Sequence, residues 1–129
     1  MSQVLAIALG GLIGVLARFL VVKIFFRPEF PMGTLVVNLS SALLIGLIIG
    51  VLGESMSLVQ KGFLISGLMG GYSTFSSLVY EVFYMILKGK LALAIGYLLI
   101  SNLLGVILVA LGYYLGKALI IFISSVFYI

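Results

Sequence analysis

The sequence predicts an all-α integral membrane protein of four transmembrane helices, and three observations predict it. Of the 129 residues, 64% are apolar and only 8% are charged, against about half and about a quarter in an ordinary globular domain. That leaves too little polar side chain to cover a water-facing surface, and the mean hydropathy is +1.45. The apolar residues also fall into four runs separated by short polar breaks, each near the roughly 20 residues that cross a bilayer. Residues 1–129 therefore form one transmembrane domain, with spans over 3–26, 32–53, 62–87 and 91–116.

The first span is uncharged from residue 4 to residue 17 and continues past Arg18 to Phe26. Met1-Ser2-Gln3 lacks the cations of a signal-peptide n-region, so the span is expected to be retained. Arg27-Pro28-Glu29-Phe30-Pro31 breaks it, because proline stops helices and biases its predecessor away from helical angles. The second span, Met32 to Gly53, carries no charge. Glu54 to Lys61 reads as a polar loop, and a third span follows from about Gly62 to Leu87. Lys88-Gly89-Lys90 makes a tight turn into a fourth span, which Lys117 closes. Ala118 to Ile129 is apolar but too short to cross, which makes it an interfacial or helix-extending tail.

Missing residue types exclude most chemistry. With no His, no Cys and no Asp, and with Glu29, Glu54 and Glu81 as the only carboxylates, there is no thiolate nucleophile, no usual zinc site and no imidazole base. No enzyme is expected. The net charge of +4 comes from seven scattered cations, which make no nucleic-acid patch and read as interfacial residues facing anionic membrane lipid. Lys23, Arg27, Lys88 and Lys90 fall on one side of the membrane, Lys61 and Lys117 on the other. Four against two is a weak bias that permits either one fixed orientation or insertion both ways. Glycines at Gly10-Gly11-x-x-Gly14, Gly46-x-x-x-Gly50 and Gly112-x-x-x-Gly116 have the spacing of close helix packing.

Polar groups concentrate in the third span, at Gly70-Gly71-Tyr72-Ser73-Thr74-Phe75-Ser76-Ser77. Paired glycines, with hydroxyls that compete for backbone hydrogen bonds, favour a helix broken near its middle. Freed carbonyls at that depth must be buried or line a cavity. A merely flexible helix, its hydroxyls bonded back to its own backbone, is the alternative. Asn38 in the second span either bridges helices or turns its amide donors to an anion, and Arg18 and Glu81 are charges within spans that call for a protein or aqueous surrounding. Asn38, Ser101, Asn102 and the hydroxyl cluster supply neutral donors, which suits a small anion better than a metal cation, and aromatic ring edges can meet an anion side-on.

Taken together, Gly10-Gly11-x-x-Gly14-x-x-x-Arg18, Gly33-Thr34-Leu35-x-x-Asn38, Gly70-Gly71-x-Ser73-Thr74-Phe75-Ser76 with Glu81, and Tyr97-x-x-x-Ser101-x-x-x-Gly105 resemble the four spans of the Fluc (CrcB-type) fluoride channels, in order and over nearly the whole chain. The resemblance implies a passive fluoride channel in the cell inner membrane or plasma membrane that relieves fluoride toxicity. It implies a dual-topology dimer of antiparallel subunits, made with a second copy or a paired homologous subunit. Asn38, Phe75, Ser76, Ser77, Leu78 and Ser101 fall on its fluoride pathway. A structural sodium ion falls on the backbone carbonyls of Gly70 and Ser73, with Gly71 and Thr74 as neighbours, and Arg18 and Glu81 take structural or vestibule places. Leu78 departs from the family, which often has a second phenylalanine there. A small multidrug-type cation exporter would need a carboxylate deep in the first span, and none is present. A non-transporting membrane scaffold leaves the hydroxyl-rich break without a reason.

Overall fold

The computed structural model describes residues 2–127, and the side chains of Glu54 and Phe127 are outside that description. All regular structure among the described residues is helical. Helix α1 (Gln3–Ile24) starts at Ser2, whose hydroxyl accepts from the Leu5 N–H, and it stops before the Arg27-Pro28 break, two residues earlier than the hydropathy suggests. Helix α2 (Met32–Leu52) ends where Gly53 turns to φ 53°. The next segment carries helix α3 (Leu58–Lys61), a wide π-type stretch (Gly62–Met69) and a last turn α4 (Gly70–Tyr72). Two extended residues then precede α5 (Phe75–Leu87), and α6 (Leu91–Phe127) completes the chain. Helices α1, α2 and α6 are each long and apolar enough to cross a membrane.

Two further stretches bear on the sequence reading. The stretch Leu58–Lys61, read as loop, is helical. Ser57 and Gln60 form a reciprocal capping box in which each side chain bonds the other's backbone N–H, so the helix starts a turn before the hydrophobic run. Beyond Lys117, which closes the fourth span, the helix-extending reading of the tail holds as far as Phe127. No glycine or proline follows Gly116 to interrupt α6, and its 37 residues span about 54 Å at 1.5 Å per residue.

Glycine decides which helices touch. A Cβ on Gly46 would lie 2.1 Å from the Val109 carbonyl oxygen, and one on Gly112 would lie 2.2 Å from that of Leu43. Gly50 and Gly116 repeat this reciprocal fit one turn on, at 2.3 Å from Tyr113 O and 2.7 Å from Leu47 O. The α2 and α6 motifs are thus two halves of one seam. Helix α1 pairs instead with the third segment: Gly10 meets Phe63, Gly14 meets Leu68, and Gly67 and Gly71 meet Ile7 and Gly11.

The α5–α6 turn shows why a glycine must sit between two lysines. Gly89 takes φ 74°, its N–H bonds Ile86 O, and the Lys90 N–H bonds Met85 O. This 6→1 and 5→2 pairing satisfies the last carbonyls of α5, and it needs a left-handed residue. The turn brings Lys88 and Lys90 beside Arg27 at one end of the bundle, while Lys61 and Lys117 share a cavity at the other.

Candidate functional site

Ser73 (φ −75°, ψ 161°) and Thr74 (φ −150°, ψ 110°) are extended between α4 and α5. Asn38 on α2 stands in for the missing helical partners. Its Oδ1 accepts from the Thr74 N–H at 2.9 Å and its Nδ2 donates to the Thr74 carbonyl at 3.1 Å. Thr74 then caps α5, its hydroxyl accepting from the Ser77 N–H at 3.3 Å and donating to Ser77 Oγ at 3.0 Å. Arg18 Nη1 reaches from α1 to the Ser73 carbonyl at 3.3 Å. Tyr72 is tied to Ser40 at 2.8 Å. Since the Ser40 hydroxyl spends its one proton on Val37 O, the Tyr72 phenol is the donor.

These bonds release backbone acceptors. The Thr74 N–H, which would bond Gly70 O in an unbroken helix, is spent on Asn38, and the Ser77 N–H, which would bond Ser73 O, is spent on the Thr74 hydroxyl. The two glycines of the cluster have different surroundings. Gly71 is pressed on α1, where a Cβ would lie 2.7 Å from Gly11 O; Gly70 is exposed, its nearest neighbour for a Cβ being Ile65 O at 3.7 Å.

An open groove of about 320 Å³ brings together Asn38 and Ser41 from α2, Ser73 and Thr74 from the break, Phe75 and Leu78 from α5, and Ser101 and Asn102 from α6. No charged side chain among the described residues lines it. Phe75 is 72% exposed at its edge, whereas Leu78 is buried with Met85, Ala94 and Tyr97. Ser101 Oγ is buried and without a partner among the described residues, which leaves a hydroxyl donor unspent at a cost of about 1–3 kcal/mol. Ser76 and Ser77 do not line the groove: Ser76 is exposed and Ser77 is engaged in the α5 cap.

Glu81 lies away from the groove. Its Oε1 accepts from Thr34 Oγ1 at 2.6 Å and its Oε2 from Tyr97 OH at 2.8 Å, so one carboxylate joins α2, α5 and α6. The Phe30 ring packs edge-on against Tyr97, centroids 5.2 Å apart. Sequence reasoning marked Arg18 and Asn38 together with their partners Ser73 and Thr74, but it did not pair Glu81 with Thr34 and Tyr97 or Ser40 with Tyr72. No spacing rule links Thr34 to Glu81 across 47 residues; the only signal was that a carboxylate or amide in lipid needs a partner.

The chain matches the family model described as CrcB-like protein, Camphor Resistance (CrcB), over residues 5–113. It is 40% identical over 124 residues to a fluoride-specific ion channel FluC of Aquifex aeolicus, covering 92% of this chain and 100% of the relative. It is 44% identical over 108 residues to a fluoride-specific ion channel FluC 1 of Nitrobacter hamburgensis, with 80% and 86% covered. A FluC of Nitrobacter winogradskyi is 42% identical over the same length and coverage.

Proposed function

The chain belongs to the CrcB-like family, and on that footing we propose that it is a fluoride-specific channel, a multi-pass protein of the plasma membrane through which cytoplasmic fluoride leaves passively. One observation supports this beyond family membership. The groove at the break offers neutral donors and a ring edge, with no formal charge. A small, strongly hydrated anion needs its water donors replaced on entry, and a carboxylate in the wall would repel it at low dielectric. The Ser101 hydroxyl and the second amide hydrogen of Asn38 are free for that work, with Phe75 at the edge.

In this reading the chain crosses the bilayer four times, the interrupted segment from Leu58 to Leu87 making the third crossing. The groove is open, with Phe75 exposed at its edge, and Gly70 of the same segment is exposed as well, so in this reading a second antiparallel subunit closes the path. The weak cation bias, four against two, permits that insertion. The partner is another copy or a homologous chain.

A structural sodium ion fits the residues present. Gly70 O and Ser73 O are acceptors without helical donors, and hard monovalent cations take oxygen ligands of this kind. Arg18 uses one lone pair of Ser73 O and leaves the other. These two carbonyls from each subunit would hold it, with Gly71 and Thr74 shaping the backbone, and when bound it supplies positive charge that ties the subunits together.

Fluoride efflux from liposomes containing the purified chain, followed with a fluoride electrode, tests the function. Rapid fluoride release without matching chloride release is expected; vesicles that retain fluoride as protein-free controls do would refute it.

A further inference from the structure

Where α1 and α5 stop and α2 and α6 start, the bundle holds a second cavity of about 490 Å³, separate from the groove. Arg27, Lys88 and Lys90 line it, and so do the aromatic side chains Phe26, Tyr80 and Tyr84. Phe26 is 65% and Tyr80 67% exposed, so the cavity opens on the apolar flank of the bundle as well as on its end. The described contacts of two of the cations are to neutral groups: Lys88 Nζ lies 4.6 Å from the centre of the Tyr84 ring, and Arg27 Nη1 donates to the Phe26 carbonyl at 3.0 Å. Glu29 and Glu81 also line the cavity, so three cations stand against two carboxylates, and the oxygens of Glu81 are already engaged by Thr34 and Tyr97, which leaves a modest positive excess.

Cations at the end of a membrane bundle, set above an apolar wall, suit an amphiphile with an acidic head and a hydrocarbon body. A free inorganic anion would leave the exposed apolar surface of Phe26 and Tyr80 uncovered. We propose that this cavity binds the phosphate headgroup of an anionic phospholipid, with Arg27, Lys88 and Lys90 on the head and Phe26 and Tyr80 against the glycerol and first acyl carbons. The proposal rests on the chain sitting in a bilayer and not on its carrying fluoride.

The chain has no tryptophan, so Phe26→Trp in the full-length protein places a single fluorescent reporter on the cavity wall. Tyr80→Trp, from α5, serves if the first variant fails to fold. The protein is reconstituted into mixed phosphatidylcholine and phosphatidylglycerol vesicles in which one lipid or the other is brominated, and quenching reports which lipid occupies the cavity. A preference of about fivefold or more for phosphatidylglycerol is expected, because one cation near an anionic surface contributes about that factor. It should fall to near unity in the combined Arg27→Gln, Lys88→Gln, Lys90→Gln variant and persist in Lys117→Gln, which removes a cation at the opposite end. Equal quenching by both lipids with the cations intact overturns the proposal. So does a preference that survives in the triple variant, or a reporter that neither lipid quenches. Fluoride efflux from the same vesicles is read separately, so a lost flux with an intact lipid preference counts against the channel reading alone.

Discussion

Asn38 and Thr74 exchange two hydrogen bonds between α2 and the break, amide oxygen to backbone N–H and amide nitrogen to backbone carbonyl. A side-chain amide thus replaces the peptide group of a missing helical turn. Asn38→Asp keeps the acceptor but sets a carboxylate against the Thr74 carbonyl and charges the groove. We expect fluoride efflux to fall at least tenfold and thermal stability to drop by about 1–3 kcal/mol. Unchanged efflux from a well-folded variant would remove Asn38 from the pathway.

Phe75 contributes little to the fold of one subunit, since it is 72% exposed. Phe75→Ile should therefore leave the fold of the subunit intact while abolishing efflux, because the aliphatic chain has no positive ring edge. Leu78→Phe should do the reverse. Leu78 is only 4% exposed, against Tyr97 and Met85, so the larger ring overpacks a filled site at about 1–3 kcal/mol, read as a lowered melting temperature.

Glu81 accepts from Thr34 and Tyr97 at once, so the two hydroxyls share one carboxylate. Thr34→Val and Tyr97→Phe should each cost about 0.5–2 kcal/mol. Combined, they should be non-additive by at least ~0.5 kcal/mol, as groups on a common partner are. Melting of the two single variants and the double variant completes the cycle; strict additivity would mean that Glu81 does not couple them.

The glycines should separate into two classes under alanine substitution. Gly46→Ala and Gly112→Ala drive a methyl to within 2.3 Å of a backbone oxygen on the facing helix, whereas Gly96→Ala and Gly105→Ala meet nothing within 4 Å. The first pair should lose at least ~1–3 kcal/mol or fail to assemble; the second pair should gain slightly from helix propensity, within about 1 kcal/mol. Denaturation in detergent ranks them.

Sodium removal tests the carbonyls of the break. After exhaustive exchange into a large organic cation, efflux should slow and the dimer should dissociate at a higher protein concentration, by mass action. Ser73→Ala should change neither, because only the Ser73 carbonyl is invoked. Full efflux and unaltered dissociation without sodium would leave Gly70 and Ser73 as an unliganded break held by Asn38 and Arg18.

The solvent of this protein was legible in its composition: few charges, apolar runs of bilayer length, and polar residues in lipid that must be partnered. Local rules also reached the turn at Gly89 and the disruptive character of Gly70 to Ser77, because both depend on backbone freedom and hydroxyl competition within a few residues. They could not say that Gly46 and Gly50 meet Gly112 and Gly116, since every glycine motif has the same small face and only the packed bundle chooses its partner. The same holds for Asn38 with Thr74, Arg18 with Ser73 and Glu81 with Thr34 and Tyr97. Each polar group announced a need for a partner, and the partner lay 16 to 55 residues away, where no periodicity reaches. The helical continuation from Lys117 to Phe127 was decided by the absence of a stop residue, which outweighed the charge that suggested an end. Tertiary structure chose among the partners because burial in lipid makes an unpaired polar group costly, and only the folded geometry determines which pairs come within reach.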